Sequence, residues 1–127
     1  MRVHHLAVVV ADLDLSERFY AGVLGLPVER RWADPEGRPR AVWLGLGEGA
    51  FLALERAASA GPLRSAEAPG WHCVSLAIAP SEREVWRARL AAAGTPVLRE
   101  SAYTLYVLDP DGQLVGLSHW PEPAPGA

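Results

Sequence analysis

The chain has 127 residues, half of them hydrophobic, with 12 basic and 15 acidic side chains and a net charge of −3. That is the size of one compact domain, able to bury roughly 65–70% of its unfolded surface, and its acidic balance gives no broad positive field for a phosphate backbone, which excludes nucleic acid as an expected partner. The lone cysteine, Cys73, excludes an intrachain disulfide framework and a multi-cysteine zinc knuckle.

Val3 to Val10 is rich in Val and Leu and reads as a buried strand, after which Asp12 and Asp14 offer helix caps. This apolar run is too short to span a membrane and lacks the small-residue cleavage site of a signal peptide, so a cytoplasmic protein is expected. Ser16 to Leu24 predicts a helix with Phe19, Val23 and Leu24 on one face, and Gly25 ends it as a C-cap does. Pro27 to Ala33 is the next strand, DPEGRP a turn, and Ala41 to Leu46 and Ala50 to Glu55 a hairpin joined by GEG. Residues 1–56 therefore read β-α-β-β-β.

Residues 57–70, AASAGPLRSAEAPG, have no periodic apolar face and read as a linker. Then the pattern repeats: strand Trp71 to Ile78, helix Ser81 to Ala93 with Val85, Leu90 and Ala93 inward, Gly94 as its stop, and strands at Pro96 to Glu100, Tyr103 to Leu108 and Leu114 to Trp120. Residues 71–120 form the second module, and the Pro-rich 121–127 read as a disordered tail. GLPVER at 25–30 matches GTPVLR at 94–99, each directly after a helix, so the chain carries an internal duplication.

GLGEG at 45–49 has neither the spacing nor the following helix of a phosphate loop and reads as a hairpin. DPDG at 109–112 resembles a fragment of a calcium loop, but the remaining ligands are missing, and Pro in its second place and Gly in its fourth make it an ordinary β-turn. All basic residues are Arg, of which Arg31, Arg40 and Arg99 lie near strand ends, where they could pair with an anionic ligand. Trp43 alternates with Val42 and Leu44, so one face of its strand is aromatic; with Trp32 and Tyr106 it would make a stacking wall for a flat or cationic ligand.

The stretch HHLAVVVADLDLSERFYAGVLGLPV resembles the first module of the vicinal oxygen chelate superfamily, which includes glyoxalase I, extradiol dioxygenases and bleomycin-resistance proteins. A strand-one His is followed there by V-x-D-L-x-x-S-x-x-F-Y-x-x-x-L-G, which Val10, Asp12, Leu13, Ser16, Phe19, Tyr20, Leu24 and Gly25 match. DPDG before a last strand is the mark of the second module. The resemblance implies an α+β fold, two tandem βαβββ modules whose curled mixed sheets surround a cup, usually in a homodimer. It also implies four metal-ligand positions, which fall here on His5, Ala53, Cys73 and Gly116. Only His5 keeps the family's ligand type.

If these four positions share the cup face, strand alternation puts Leu6, Val8, Val10, Leu52, Leu54, Val74, Leu76, Ile78, Val115 and Leu117 on the other, a uniformly large apolar face. The cup face then reads Ala7, Val9, Ala53, Ser75, Ala77, Gly116 and Ser118, small residues that leave room. His72 would point to the helix side or the strand edge. Glu55 has the cup parity but lies roughly 6.5 Å beyond Ala53 along the strand. Cys73 with His5 as base could make an activated thiolate, yet nothing supplies an oxyanion hole, and no catalytic residue is assigned.

The resulting expectation is a small-molecule-binding relative of the glyoxalase and bleomycin-resistance proteins, without metal or other cofactor, serving sequestration, resistance or sensing. Its expected ligand-binding residues are His5, Trp43, Cys73, Ser75, Ser118 and Glu55, its partner a small organic ligand, its assembly a homodimer, with no membrane association. The alternatives are a metal-dependent lyase or dioxygenase with a displaced ligand set around His5, Cys73 and Glu55, and a non-catalytic interaction domain.

Overall fold

A computed structural model describes residues 1–59, 61–62 and 65–126; of the expected linker, Ala60, Leu63 and Arg64 lie outside the described residues, as does Ala127 at the end of the tail. The chain divides into two compact units, Met1–Pro62 and Leu63–Ala127. Among the described residues no helix is long and apolar enough to cross a membrane.

In the first unit, strands β1 (His5–Val10), β2 (Val28–Ala33), β3 (Pro39–Gly47) and β4 (Ala50–Arg56) form a four-stranded mixed sheet ordered β1-β4-β3-β2. β1 runs parallel to β4, and the other pairs are antiparallel. The expected βαβββ order holds. The hairpin between β3 and β4 turns through Gly47, Glu48 and Gly49, all at positive φ, a conformation that glycine adopts without a Cβ penalty.

The first helix differs from its expected form. An α-helical turn, α1 (Leu13–Glu17), opens on Asp12, whose carboxylate accepts from the Leu15 amide at 3.0 Å, and continues as a π-helix over Arg18–Val23. The Leu24 amide accordingly donates five residues back, to the Phe19 carbonyl at 3.0 Å. The wider turn lets the neighbours Phe19 and Tyr20 both bury, edge to face at 4.8 Å between ring centroids. Val23 is left half-buried. A 3.6-residue period keeps adjacent side chains about 100° apart, which is why the sequence pattern gave Val23 the inward place.

The second unit repeats the plan: β5 (Cys73–Ala77), α2 (Arg83–Ala92) after a 3₁₀ turn, then β6 (Arg99–Glu100), β7 (Thr104–Leu108) and β8 (Leu114–Ser118), in a sheet ordered β5-β8-β7-β6. Here the helix phase departs from expectation. Val85 is 67% exposed and Ala93 is exposed, whereas Arg83 and Leu90 are buried. Arg83 is tolerated inside because its guanidinium is fully engaged: one nitrogen donates to His119 Nε2 at 2.9 Å, the other to Glu100 Oε2 at 2.9 Å and to the Ser101 carbonyl at 2.8 Å. Since the guanidinium only donates, His119 Nε2 accepts, and His119 Nδ1–H is left to donate to the Glu122 carbonyl. Arg87 joins the same Glu100 oxygen at 2.6 Å, and Arg87 and then Arg83 hold the Glu100 carboxyl below its usual range.

Two turns share one sequence pattern and one geometry. In DPEGR, Asp34 Oδ1 accepts from the amides of Glu36 and Arg38 at 3.0 and 2.9 Å; in DPDGQ, Asp109 Oδ1 accepts from those of Asp111 and Gln113 at 2.9 and 2.8 Å. Gly37 and Gly112 take the positive φ in each. DPDG is thus the β-turn the sequence predicts. Asp34 also receives Arg56 and Arg38, at 3.0 and 2.9 Å.

Two outcomes are expected. Arg83→Ala lowers unfolding free energy by roughly 1–3 kcal/mol, because it leaves the buried His119 ring nitrogen without its donor, while Val85→Ala stays within about 0.5 kcal/mol; chemical denaturation ranks them, and a larger loss at Val85 would reverse the helix phase. The Asp34 carboxyl is lowered from 3.8 to about 2, first by the Arg38 amide and then by the Arg56 and Arg38 side chains. A lowered folded-state value gives stability that is full above the unfolded value and lost as pH falls towards 2. Melting temperature should therefore drop less steeply between pH 4 and 2 in Asp34→Asn than in the parent chain, and equal slopes would contradict this.

Candidate functional site

Strand alternation sorts each sheet into a face of large aliphatic side chains, the covered face, and a second, open face, which is exposed at β1 although Phe51, Ala53 and Ala41 on it are buried. On β1, His5, Ala7 and Val9 are exposed, while Leu6, Val8 and Val10 are half-buried or buried. The parallel register sets His5 beside Phe51, Ala7 beside Ala53 and Val9 beside Glu55. β3 then places Gly45 opposite Phe51, Trp43 opposite Ala53 and Ala41 opposite Glu55, and β2 places Arg30 opposite Trp43 and Trp32 opposite Ala41. His5, Trp43, Ala53 and Glu55 therefore share the open face, and Leu52 and Leu54 the covered one.

That face is aromatic rather than small. His5 stacks on Phe51 at 4.8 Å and 6° between rings, Phe51 on Trp43 at 4.3 Å and 20°, and Trp43 meets Trp32 edge-on at 5.2 Å. The Arg30 guanidinium carbon closes the row, 4.0 Å from the Trp32 ring centroid. Sequence reasoning offered Trp43 and Trp32 for an aromatic wall, together with Tyr106, which lies in the second unit, and missed Phe51 and Arg30. The signal was present: Phe51 stands two residues before Ala53 on the same strand, and Arg30 two before Trp32. The indole N–H groups of Trp32 and Trp43 are buried and have no hydrogen-bond acceptor among the described residues.

Charges on this unit are largely committed. Glu55 faces Arg40 at 3.4 Å, Arg31 is paired with Glu17, and His5 Nδ1 lies 2.8 Å from His4 Nδ1. Of the three arginines expected to meet a ligand anion, Arg31 and Arg40 thus already hold carboxylates.

In the second unit the open face carries Cys73 beside Leu114, Ser75 beside Gly116 and Ala77 beside Ser118, with Tyr106 and Thr104 opposite Gly116 and Ser118. Cys73, Ser75 and Ser118 are brought to one face, as alternation requires. Thr104 donates its hydroxyl to Ser118 Oγ at 2.9 Å. A Cβ at Gly116 would lie 2.7 Å from Ser75 Oγ and 3.0 Å from Thr104 Cγ2, so the space a side chain would enter from position 116 is already taken. His72 sits at the strand edge, its Nε2 3.2 Å from Arg99 Nη2, and Arg99 lies 4.4 Å over Tyr106.

Four positions define the metal site that the family resemblance implies. Ala53 offers a methyl group, Gly116 offers nothing, and only His5 and Cys73 carry donors. Among the described residues no three His, Cys, Asp or Glu side chains gather as a metal would need. This donor set does not fit a catalytic divalent ion, which takes about three protein ligands.

Comparison with known proteins gives the fold relatives. Glyoxalase I of Leishmania major, described as trypanothione-dependent, is 28% identical with a TM-score of 0.75, over 94% of this chain and 86% of that one. A glyoxalase/dioxygenase from Nostoc punctiforme is 20% identical with a TM-score of 0.77, over 95% and 92%. The fosfomycin resistance protein FosX of Listeria monocytogenes, a point mutant solved with Mn(II) and a dihydroxypropylphosphonic acid, is 17% identical with a TM-score of 0.72, over 93% and 91%. No curated protein matches the chain. The family model for the Glyoxalase/Bleomycin resistance protein/Dioxygenase superfamily matches residues 2–117, and the chain belongs to that superfamily.

Proposed function

We propose that this chain is a small-molecule-binding member of its superfamily that has lost most of the metal ligands, and that it serves sequestration, resistance or sensing of a planar organic compound. The observation that carries this reading is the row His5, Phe51, Trp43, Trp32 and Arg30 on the open face of the first sheet. Such a row favours a flat ring by stacking, worth about 0.5–1.5 kcal/mol per well-placed pair. The indole N–H groups of Trp32 and Trp43 are enclosed by the chain itself, so a ligand meets ring surface rather than these donors. Glu55, beside Arg40, gives the same face a polar margin. In the second unit Cys73, Ser75 and Ser118 supply small polar groups on the open face.

The metal-dependent lyase or dioxygenase is the rival reading, built on His5, Cys73 and Glu55. Two features weigh against it: Glu55 is engaged with Arg40, and the open-face position of β8 is a glycine hemmed in by Ser75. In metal-dependent enzymes the ion polarises a carbonyl or generates a nucleophile, and here we derive no step through one. The homodimer, which rests on the superfamily's habit, and the cytoplasmic location belong to this proposal as well; light scattering reads the first and cell fractionation the second.

Two measurements test the reading. Protein dialysed against chelator is titrated with 1-naphthol and 2-quinolone while Trp fluorescence is followed. Saturable quenching is expected, weakened about 2- to 10-fold by Trp43→Leu through the loss of one stacking pair. Binding that needs added Ni(II), Zn(II), Fe(II) or Mn(II) would instead support the enzyme. At the β8 position, Gly116→Ala is expected to cost about 1 kcal/mol by overpacking, and Ser75→Ala in the same chain to recover most of it. Additive losses in that double-mutant cycle would mean the two sites do not share space.

A further inference from the structure

We propose that the second unit has a binding site of its own, for a single-ring aromatic carboxylate, in the groove between the start of β5 and strand β6. The groove encloses about 190 Å³. Its floor is Leu108 and Leu114, a register pair at the β7–β8 turn, and its walls are Trp71 and His72 on one side and Leu98 and Arg99 on the other. β5 and β6 are opposite edges of the four-stranded sheet, so His72 and Arg99, 3.2 Å apart, meet across its open face.

Three features define what fits. An apolar cavity of about 150 Å³ takes benzene, so this volume suits one ring with a short substituent. The apolar lining is exposed: Trp71 is 81% exposed and Leu98 58% in the walls, and Leu108 41% in the floor, which is the surface a ring would cover. The polar end is cationic. Arg99 has no carboxylate partner among the described residues, in contrast to Arg83 and Arg87 of the same unit, both on Glu100. Its guanidinium carbon instead lies 4.4 Å from the Tyr106 ring centroid, with Nη2 3.2 Å from His72 Nε2. A guanidinium placed over an aromatic ring keeps the planar N–H fork that receives a carboxylate through two parallel N–H···O bonds. The His72 nitrogen now accepting from Arg99 is weaker competition than a charge, so the incoming carboxylate replaces it.

This site lies wholly within Leu63–Ala127 and does not depend on the aromatic row of the first unit. The test uses the full chain labelled with ¹⁵N and titrated with benzoate, benzyl alcohol and acetate. Benzoate is expected to saturate in the millimolar range, shifting the Trp71 indole and the amides of Leu98 and Gln113, whereas benzyl alcohol and acetate, each lacking one half of the ligand, bind about tenfold more weakly or not at all. Arg99→Gln should weaken benzoate about tenfold, Arg99→Lys should restore part of it, and Leu108→Trp should block the groove with Arg99 intact. Failure of benzoate to saturate, equal binding of benzyl alcohol, or an unchanged affinity in Arg99→Gln overturns the proposal. Shifts confined to the Trp32 and Trp43 indoles also overturn it, while supporting the first-unit site.

Discussion

The two-residue alternation of side chains along β1 and β4, locked by their parallel register, is the constraint on which the rest of this molecule depends. With His5 beside Phe51 and Ala7 beside Ala53, Leu6, Leu52, Val8 and Leu54 are committed to the covered face, where burying each large aliphatic side chain contributes about 1.5–3 kcal/mol. A slip of one residue would put those leucines in the open and the aromatic row inside. The same alternation places Cys73, Ser75 and Ala77 opposite in facing to Val74 and Leu76 on β5. Core stability and the composition of the open face are therefore one decision, taken once per strand.

What the open face can do follows from what occupies it. Metal-dependent chemistry needs hard or borderline donors converging on one point, and of the two such positions in the first sheet His5 carries a donor and Ala53 only a methyl group. Ala53 leaves the floor level enough for Trp43 opposite it, and Phe51 lies against Trp43 at 4.3 Å. A carboxylate side chain at position 53 would rise into that row. The methyl group at 53 and the aromatic surface around it are in this sense one feature. Glu55 is paired with Arg40, while Arg30 lies over Trp32 at the end of the row, so stacking and this one guanidinium discriminate among ligands.

Much of this was legible in the sequence, because strand alternation and turn chemistry are local. The βαβββ repeat and the D-P-x-G turns follow from spacing, and the facing of His5, Glu55, Cys73 and Ser118 from strand alternation once the family resemblance fixes one face. The aromatic character of the face was only half legible: Trp43 declared itself, while Phe51 was hidden inside a run, AFLAL, that reads as uniformly apolar. The helices were the least readable. Arg83 looks like a solvent residue until Glu100, Ser101 and His119, which are distant in sequence, arrive to satisfy it, and the π-helix exists because Phe19 and Tyr20 both find room beneath the sheet. In each case a long-range partner overrode a local preference, as tertiary context does for weak helical patterns.

The most direct test is crystallographic. Crystals grown from chelator-treated protein and soaked with 2-quinolone should show the ring lying against the aromatic row at Trp43 or His5, and no cation at His5. Density for a coordinated metal ion on His5 after soaking in Ni(II) or Mn(II), with the quinolone absent from the aromatic row, would contradict the account and make the chain an enzyme of its superfamily.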